Sequence, residues 1–327
     1  MKYKLKITLI LLSMFLITQF IGLYVLHANP FHITAEINGT TEIVSNPVLS
    51  FVQPPEIQQE SDFSLYFGSI IFALIFAVII LFLLAKFKTK IILKIWFFIV
   101  VIIALFITFN AVFSNYINSF YFWIPALVIA AVLSYIKIYR QNFLVHNLTE
   151  LFIYPGIASV FVPILNFWTV LLLLILISIY DIWAVWHSGI MQKMAKYQMN
   201  ELKIFGGFFV PYISRKLRMR LNKMKKSKRK KTKIKVNLAI LGGGDVIYPL
   251  MAAGVVLTTE KVFIPFTNIQ IFQGGFIPAL FVIAGATLGL GYLLCISEKK
   301  KFYPAMPFIT AGVFIGLILS YIISLIF

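Results

Sequence analysis

Long apolar runs separated by short polar breaks dominate the chain. A helix needs about 20 apolar residues to cross a bilayer. Nine runs near that length can be marked, at 7–27, 64–85, 93–113, 119–136, 146–165, 167–188, 236–257, 274–296 and 304–326. The fifth is interrupted by Glu150, Pro155 and Pro163. The first has the position of a secretory signal, but its apolar stretch, Ile7 to Leu26, is about twice the usual signal core. We therefore read it as a retained helix. The pattern predicts an all-α membrane protein with nine transmembrane helices. It divides into an N-terminal six-helix portion (1–188), a partly disordered cytoplasmic loop (189–235) and a C-terminal three-helix portion (236–327).

Composition supports this pattern and excludes several chemistries. Of 327 residues, 61% are hydrophobic, well above the roughly 45–50% of soluble domains. One cysteine, Cys295, leaves no internal disulfide and no cysteine-built metal site. The four histidines, His27, His32, His146 and His187, lack ligand spacing. No metal and no cofactor is expected.

Charge sets the expected orientation. With Lys2, Lys4 and Lys6 in the cytoplasm and the spans alternating, the inner loops hold Lys86, Lys88, Lys90 and Lys94, then Lys137 and Arg140, then the loop after the sixth span, then Lys299 to Lys301. Of 29 Lys and Arg, only Lys261 falls outside. The first outer loop, 28–63, carries Glu36, Glu42, Glu56, Glu60 and Asp62 and no Lys or Arg. Nine spans then leave the N-terminus cytoplasmic and the C-terminus outside. Arg215 to Lys235 has 13 Lys or Arg in 21 residues and no acid. A basic run of this kind suits nucleic acid, but a loop that fixes topology and rests on anionic lipid headgroups is the preferred reading. No nucleic-acid partner is expected. Of two N-glycosylation patterns, at Asn38 and Asn147, only the first lies outside on this topology.

The chain has three aspartates. Asp62 is in the outer loop. Asp181 and Asp245 are the only acids deep within the expected spans, and each costs about 2.5–3.5 kcal/mol to insert at mid-helix. Asp181 is expected about 10 Å from the inner end of its helix and Asp245 about 14 Å from the inner end of the next, antiparallel one. Two carboxyls at one level can face each other and share a proton. One then takes a proton from water, and the other protonates the carbonyl oxygen of an amide. Two acids alone favour proton-coupled transport slightly over catalysis and leave helix packing as a third reading.

Leu241 to Leu250 reads LGGGDVIYPL. A glycine inside a helix costs up to about 1 kcal/mol relative to alanine, so Gly242, Gly243 and Gly244 need a reason. Close helix packing is one. Room for an extended peptide backbone and water beside the acid is another. A protease must unwind a helical substrate, and the freed N–H and C=O groups then need partners. A peptide laid along an exposed backbone edge supplies them.

Ser178-Ile179-Tyr180-Asp181 and Gly242-Gly243-Gly244-Asp245 resemble the YD and GxGD motifs of the presenilin and signal peptide peptidase family, which are intramembrane aspartyl proteases with nine helices. The resemblance implies that Asp181 and Asp245 form the catalytic pair, that Tyr180 lies beside it, and that Gly242 and Gly244 are the motif glycines. It also implies a Pro-Ala-Leu motif at the start of the last helix. Pro125-Ala126-Leu127 and Pro278-Ala279-Leu280 match the letters but lie in other spans. Pro304-Ala305-Met306, followed by Pro307, departs at the third position yet begins the last span on the inner side, and is chosen for substrate binding. Exchanging Leu for Met conserves volume and apolar character.

Family resemblance implies transmembrane segments of other proteins as substrates. The signal peptide peptidase branch acts alone and presenilin needs accessory subunits. The Lys-, Ile- and Phe-heavy composition points to a microbial cell membrane and an enzyme that works unaided. The oligomeric state is left open. A proton-coupled transporter or channel, and a scaffold that binds single-span helices, remain as alternatives. Trp183, Trp186 and His187 are read as interfacial residues, and Glu150 as reaching the headgroups.

Overall fold

The computed structural model describes residues 5–37, 40–57, 59–86, 90–114, 121, 123–140, 142–188, 205–212, 237–263, 270–298 and 303–326. Asn38, most of 189–235 including Arg215 to Lys235, and Lys299 to Lys301 lie outside the described residues.

The helices are α1 (Leu5–Ala28), α2 (Glu60–Lys86), α3 (Lys90–Ser114), α4 (Trp123–Tyr135), α5 (Phe143–Phe161), α6 (Phe167–Trp183), α7 (Gly244–Thr258), α8 (Phe276–Ile296) and α9 (Met306–Ile326). Among the described residues, eight helices are long and apolar enough to cross a membrane. The short one is α7, with 15 residues, or about 22 Å. Three antiparallel hairpins complete the fold: β1 (His32–Ile37) with β2 (Thr40–Ser45), β3 (Gly207–Tyr212) with β4 (Asn237–Gly242), and β5 (Lys261–Phe263) with β6 (Gln270–Gln273).

One sequence expectation changes here. The apolar run 236–257 is not one helix: it is β4 followed by α7. An unbroken apolar run does not distinguish these cases, and extended residues rise about 3.3 Å each, so a short helix plus a strand covers the same thickness. Within the segment 189–235, expected to be partly disordered, residues 207–212 form β3.

Local signals explain several boundaries. Asn166 caps α6: its Oδ1 accepts from the Thr169 N–H, and the Thr169 hydroxyl accepts from the Asn166 N–H, each at 2.8 Å. Asn142 caps α5 in a similar way. Pro163 lies in the single turn that parts α5 from α6.

The main core gathers α1, α5, α6, α7, α8 and α9, with Leu11, Phe15, Leu174, Leu250, Ala286 and Val313 buried in it. A second cluster joins α3, α4 and the far side of α5 around Leu105, Ala126 and Ala130. Helix α2 stands at the edge, with Leu65, Phe72, Ile75 and Phe76 exposed, as suits a helix solvated by lipid tails. The tightest pair is α8 with α9. Gly285 and Gly312 each face the other's carbonyl, while Gly289 lies on Phe308 and Gly316 on Phe281. Small residues four apart on both helices let the backbones touch. This contact fixes the position of the start of α9.

Candidate active site

Asp181 lies in the last turn of α6 and is 5% exposed. Its partner is the start of α9: the Met306 N–H donates to Asp181 Oδ2 at 3.0 Å, and the Ala305 backbone bonds the same carboxyl. The first N–H groups of a helix have no partner of their own, so the carboxylate meets two unused donors and the positive end of a dipole. One turn earlier on α6, the Ser178 hydroxyl is 2.8 Å from that of Thr310 on α9. Positions 178 and 181 are three apart and 306 and 310 four apart, so these contacts are successive rungs between one face of each helix.

Asp245 is in the first turn of α7, directly after β4 and the Gly243 N-cap, rather than at mid-helix. Its carboxyl turns back along the chain, where the Gly242 backbone bonds it. The two carboxyls are within range of each other's charge. Pro249 has no N–H, so the carbonyl of Asp245 lacks its intrahelical partner. Gln19 of α1 anchors this turn by donating to the Val246 carbonyl at 2.9 Å.

The three glycines have different surroundings. Gly243 is at helical angles, so its need is space, not conformation. A Cβ there would meet the Tyr154 hydroxyl at 2.8 Å and the Gly206 carbonyl at 3.3 Å. A Cβ at Gly242 would lie 3.2 Å from Asp245 Oδ2, and one at Gly244 only 3.4 Å from the Tyr248 ring.

The β3–β4 hairpin carries this turn. Gly207 pairs with Gly242, Phe209 with Ile240 and Pro211 with Leu238. Helix α5 occupies the far edge of β3. The Asn147 side chain donates to the Phe209 carbonyl at 2.9 Å and accepts from its N–H at 3.1 Å, and His146 Nε2 donates to the Gly207 carbonyl at 2.8 Å. Gly207, Phe209 and Pro211 therefore point away from β4. Residues opposite them in an antiparallel ladder point away from β3. The N–H and C=O groups of Leu238 and Ile240 thus form the outer edge of β4, which leads straight to Asp245.

The structure thus groups Asp181, Asp245, Gly242 to Gly244 and Pro304-Ala305-Met306 around one junction of α6, α7 and α9. Pro304 and Ala305 precede α9, and Met306 is its first residue. Tyr180 is 44% exposed and packs against Trp183; it and Asp245 both lie close to Tyr248. Trp183, Trp186 and His187 are exposed. Glu150 is the correction. It is 2% exposed and forms a buried ion pair with Lys137, with His146 Nε2 at 3.6 Å. A polar partner on the neighbouring helix, not a headgroup, satisfies it. Sequence reasoning gave no site role to Asn147, Tyr154, Ser178, Tyr248 or Thr310. Only Ser178 and Tyr248 carried a signal, each lying three residues from an aspartate.

The signal-peptide peptidase and presenilin aspartyl protease family model matches residues 40–326. A search of curated proteins returns no match. A solved presenilin family intramembrane aspartate protease, in the C222 space group, is similar in fold, with TM-score 0.56 and 14% identity over 97% of this chain and 99% of that one. A P2 structure of a presenilin family intramembrane aspartate protease gives 0.52 and 15%, over 96% of each chain. At these identities the likeness speaks for the fold. With a family model matching nearly the whole length, the chain belongs to the signal-peptide peptidase and presenilin aspartyl protease family.

Proposed function

We propose that this integral membrane protein is an intramembrane aspartic endopeptidase that cleaves peptide bonds within transmembrane segments of other proteins. One observation carries the reading: two acids from different helices converge, one held by the N–H groups that open α9 and the other on a glycine-framed turn after a strand. Asp181 and Asp245 share a proton. The ionised member takes a proton from water, the water attacks the amide carbon, and the protonated member gives its proton to the carbonyl oxygen. The resulting diol collapses as the amide nitrogen is protonated. The step needs neither metal nor cofactor.

The substrate's unwound backbone lies along the outer edge of β4. Leu238 and Ile240 supply the donors and acceptors that a peptide loses when its helix opens. Pro304-Ala305-Met306 flanks it and orients Asp181. Tyr180 and Tyr248 line the approach.

The expected orientation has the N-terminus in the cytoplasm and the C-terminus outside, with substrates entering sideways from the bilayer and water from the cytoplasmic side. Arg215 to Lys235 rests on anionic headgroups. The enzyme acts in a microbial membrane without accessory subunits. The parts 1–188 and 236–327 each contribute one aspartate.

Purified protein and a fluorogenic helical peptide test this. The peptide is cleaved, and a transition-state mimic bearing a hydroxyl blocks cleavage. Rate against pH is bell-shaped, falling at low pH when both acids are protonated and at high pH when both are ionised. An intact peptide together with solute movement in sealed vesicles would establish a transporter instead. A rate constant from pH 4 to 9 would rule out the shared-proton pair.

A further inference from the structure

The end of the β3–β4 hairpin nearest Asp245 is built from four glycines. Gly207 pairs with Gly242, and the Gly243 N–H donates to the Gly206 carbonyl at 3.2 Å. The Asp245 carboxyl folds back onto this end: a Cβ on Gly242 would lie 3.2 Å from its Oδ2. Glycines have no side chain to pack and the widest backbone freedom, so the end needs a hold from outside. His146 of α5 supplies it, with Nε2 2.8 Å from the Gly207 carbonyl. The rest of the ring is also engaged. Its face lies near the Phe209 ring, with centroids 4.5 Å apart. Its Nδ1 is 3.4 Å from Lys137 Nζ. Lys137 sits in a π-helical turn, 136–140, that extends α4, and Glu150 pairs with its ammonium. An ammonium can only donate, so Nδ1 accepts and the ring proton is on Nε2, facing Gly207. Glu150 Oε1 is 3.6 Å from Nε2, too far to take that bond.

We propose that His146 is a positioning residue: its Nε2–H, fixed as the donor by Lys137 at Nδ1, holds the glycine end of the hairpin and so sets where Asp245 stands. Glu150 keeps the lysine neutralised, since a lone ammonium buried beside the ring would be costly. The neighbouring Asn147 has a different task. It bonds both the carbonyl and the N–H of Phe209, at 2.9 and 3.1 Å. Phe209 pairs with Ile240, whose backbone lies on the outer edge of β4. His146 therefore governs the acid, and Asn147 governs the edge that receives the peptide. The consequence for cleavage rests on the aspartic protease reading, but the place of the ring proton can be tested without it.

Nitrogen NMR of protein labelled in histidine locates the ring proton, with His146 identified among the four histidines as the signal that His146→Gln removes. The proton is found on Nε2 and Nδ1 is bare. A proton on Nδ1 overturns the proposal. Kinetics with the helical peptide then compare three variants. His146→Gln carries an N–H as far out as Nε2 and keeps kcat within about twofold. His146→Asn is too short to reach Gly207, and its kcat falls about 10-fold at unchanged KM, the loss expected for one buried hydrogen bond. Asn147→Leu instead raises KM about 10-fold and leaves kcat within about twofold, because the bound peptide loses its edge. Equal kcat in His146→Gln and His146→Asn overturns the proposal. So does the same change in KM at both positions, which is what a general loosening of α5 against the hairpin would give. If His146→Asn does not fold, His146→Gln decides: near wild-type kcat supports the donor, and a loss of about 10-fold overturns it. If the proton is on Nε2 but wild-type protein cleaves no helical peptide, the hydrogen bond stands, the protease reading fails, and the positioning role falls with it.

Discussion

The two candidate acids occupy opposite kinds of structure. Asp181 belongs to a regular helix, and its setting is built by a neighbour: α9 supplies the Met306 and Ala305 donors and the Thr310 rung. Asp245 belongs to a break in regularity. A strand ends, a glycine caps a helix, and the carboxyl folds back on its own chain. One acid is held by tertiary contacts and the other by local chain geometry. The contrast suits a site that must keep one wall rigid and offer the other to an extended peptide.

That contrast can be broken by mutation, most strongly at the acids themselves. Asp181→Asn and Asp245→Asn each lower peptide cleavage by at least about a thousandfold, because general acid–base catalysis contributes about 10²–10⁴ and the pair acts as a unit. Equal loss at both positions confirms that they work together; substantial activity in either variant breaks the pairing.

The glycines test the local side. Gly243→Ala collides with the Tyr154 hydroxyl and the Gly206 carbonyl. It destabilises the turn by about 1–3 kcal/mol, the range for overpacking, and lowers kcat with it. Gly244→Ala meets only an ordinary ring contact and cleaves nearly as wild type does. Parallel kinetics and thermal melts of the two variants check this order, and the reverse order would contradict the geometry.

Met306 tests the tertiary side. Met306→Pro deletes the N–H that reaches Asp181, at the first position of a helix, where proline is tolerated. Cleavage falls about 10-fold for one hydrogen bond to a charged group. Met306→Leu keeps the N–H and serves as the side-chain control, remaining within about twofold by volume conservation. The smallest effect is expected at Thr310→Val. The Ser178 hydroxyl keeps its bond to the Leu174 carbonyl, so loss of the rung lowers stability by about 1 kcal/mol, readable as a small drop in Tm with unchanged KM.

Much of this was legible along the chain, for reasons that differ by element. Spans such as α1, α3 and α9 show as apolar runs because a bilayer rewards length and hydrophobicity alone. The aspartates stand out because acids are rare among such residues. The 236–257 run misled because an apolar strand and an apolar helix look alike once both faces are buried. Glu150 misled because its partner, Lys137, lies on a different helix and its burial follows from packing.

The sequence by itself determined a membrane protein of many helices with two acids of the same kind in adjacent apolar runs, since hydropathy and charge are properties of residues taken in order. Only the tertiary structure decided that Asp245 begins a helix, that β3 pairs with β4, and that Asp181 meets the opening of α9. Those facts depend on which backbone groups find partners across long stretches of chain, and spacing along one strand of letters does not specify that.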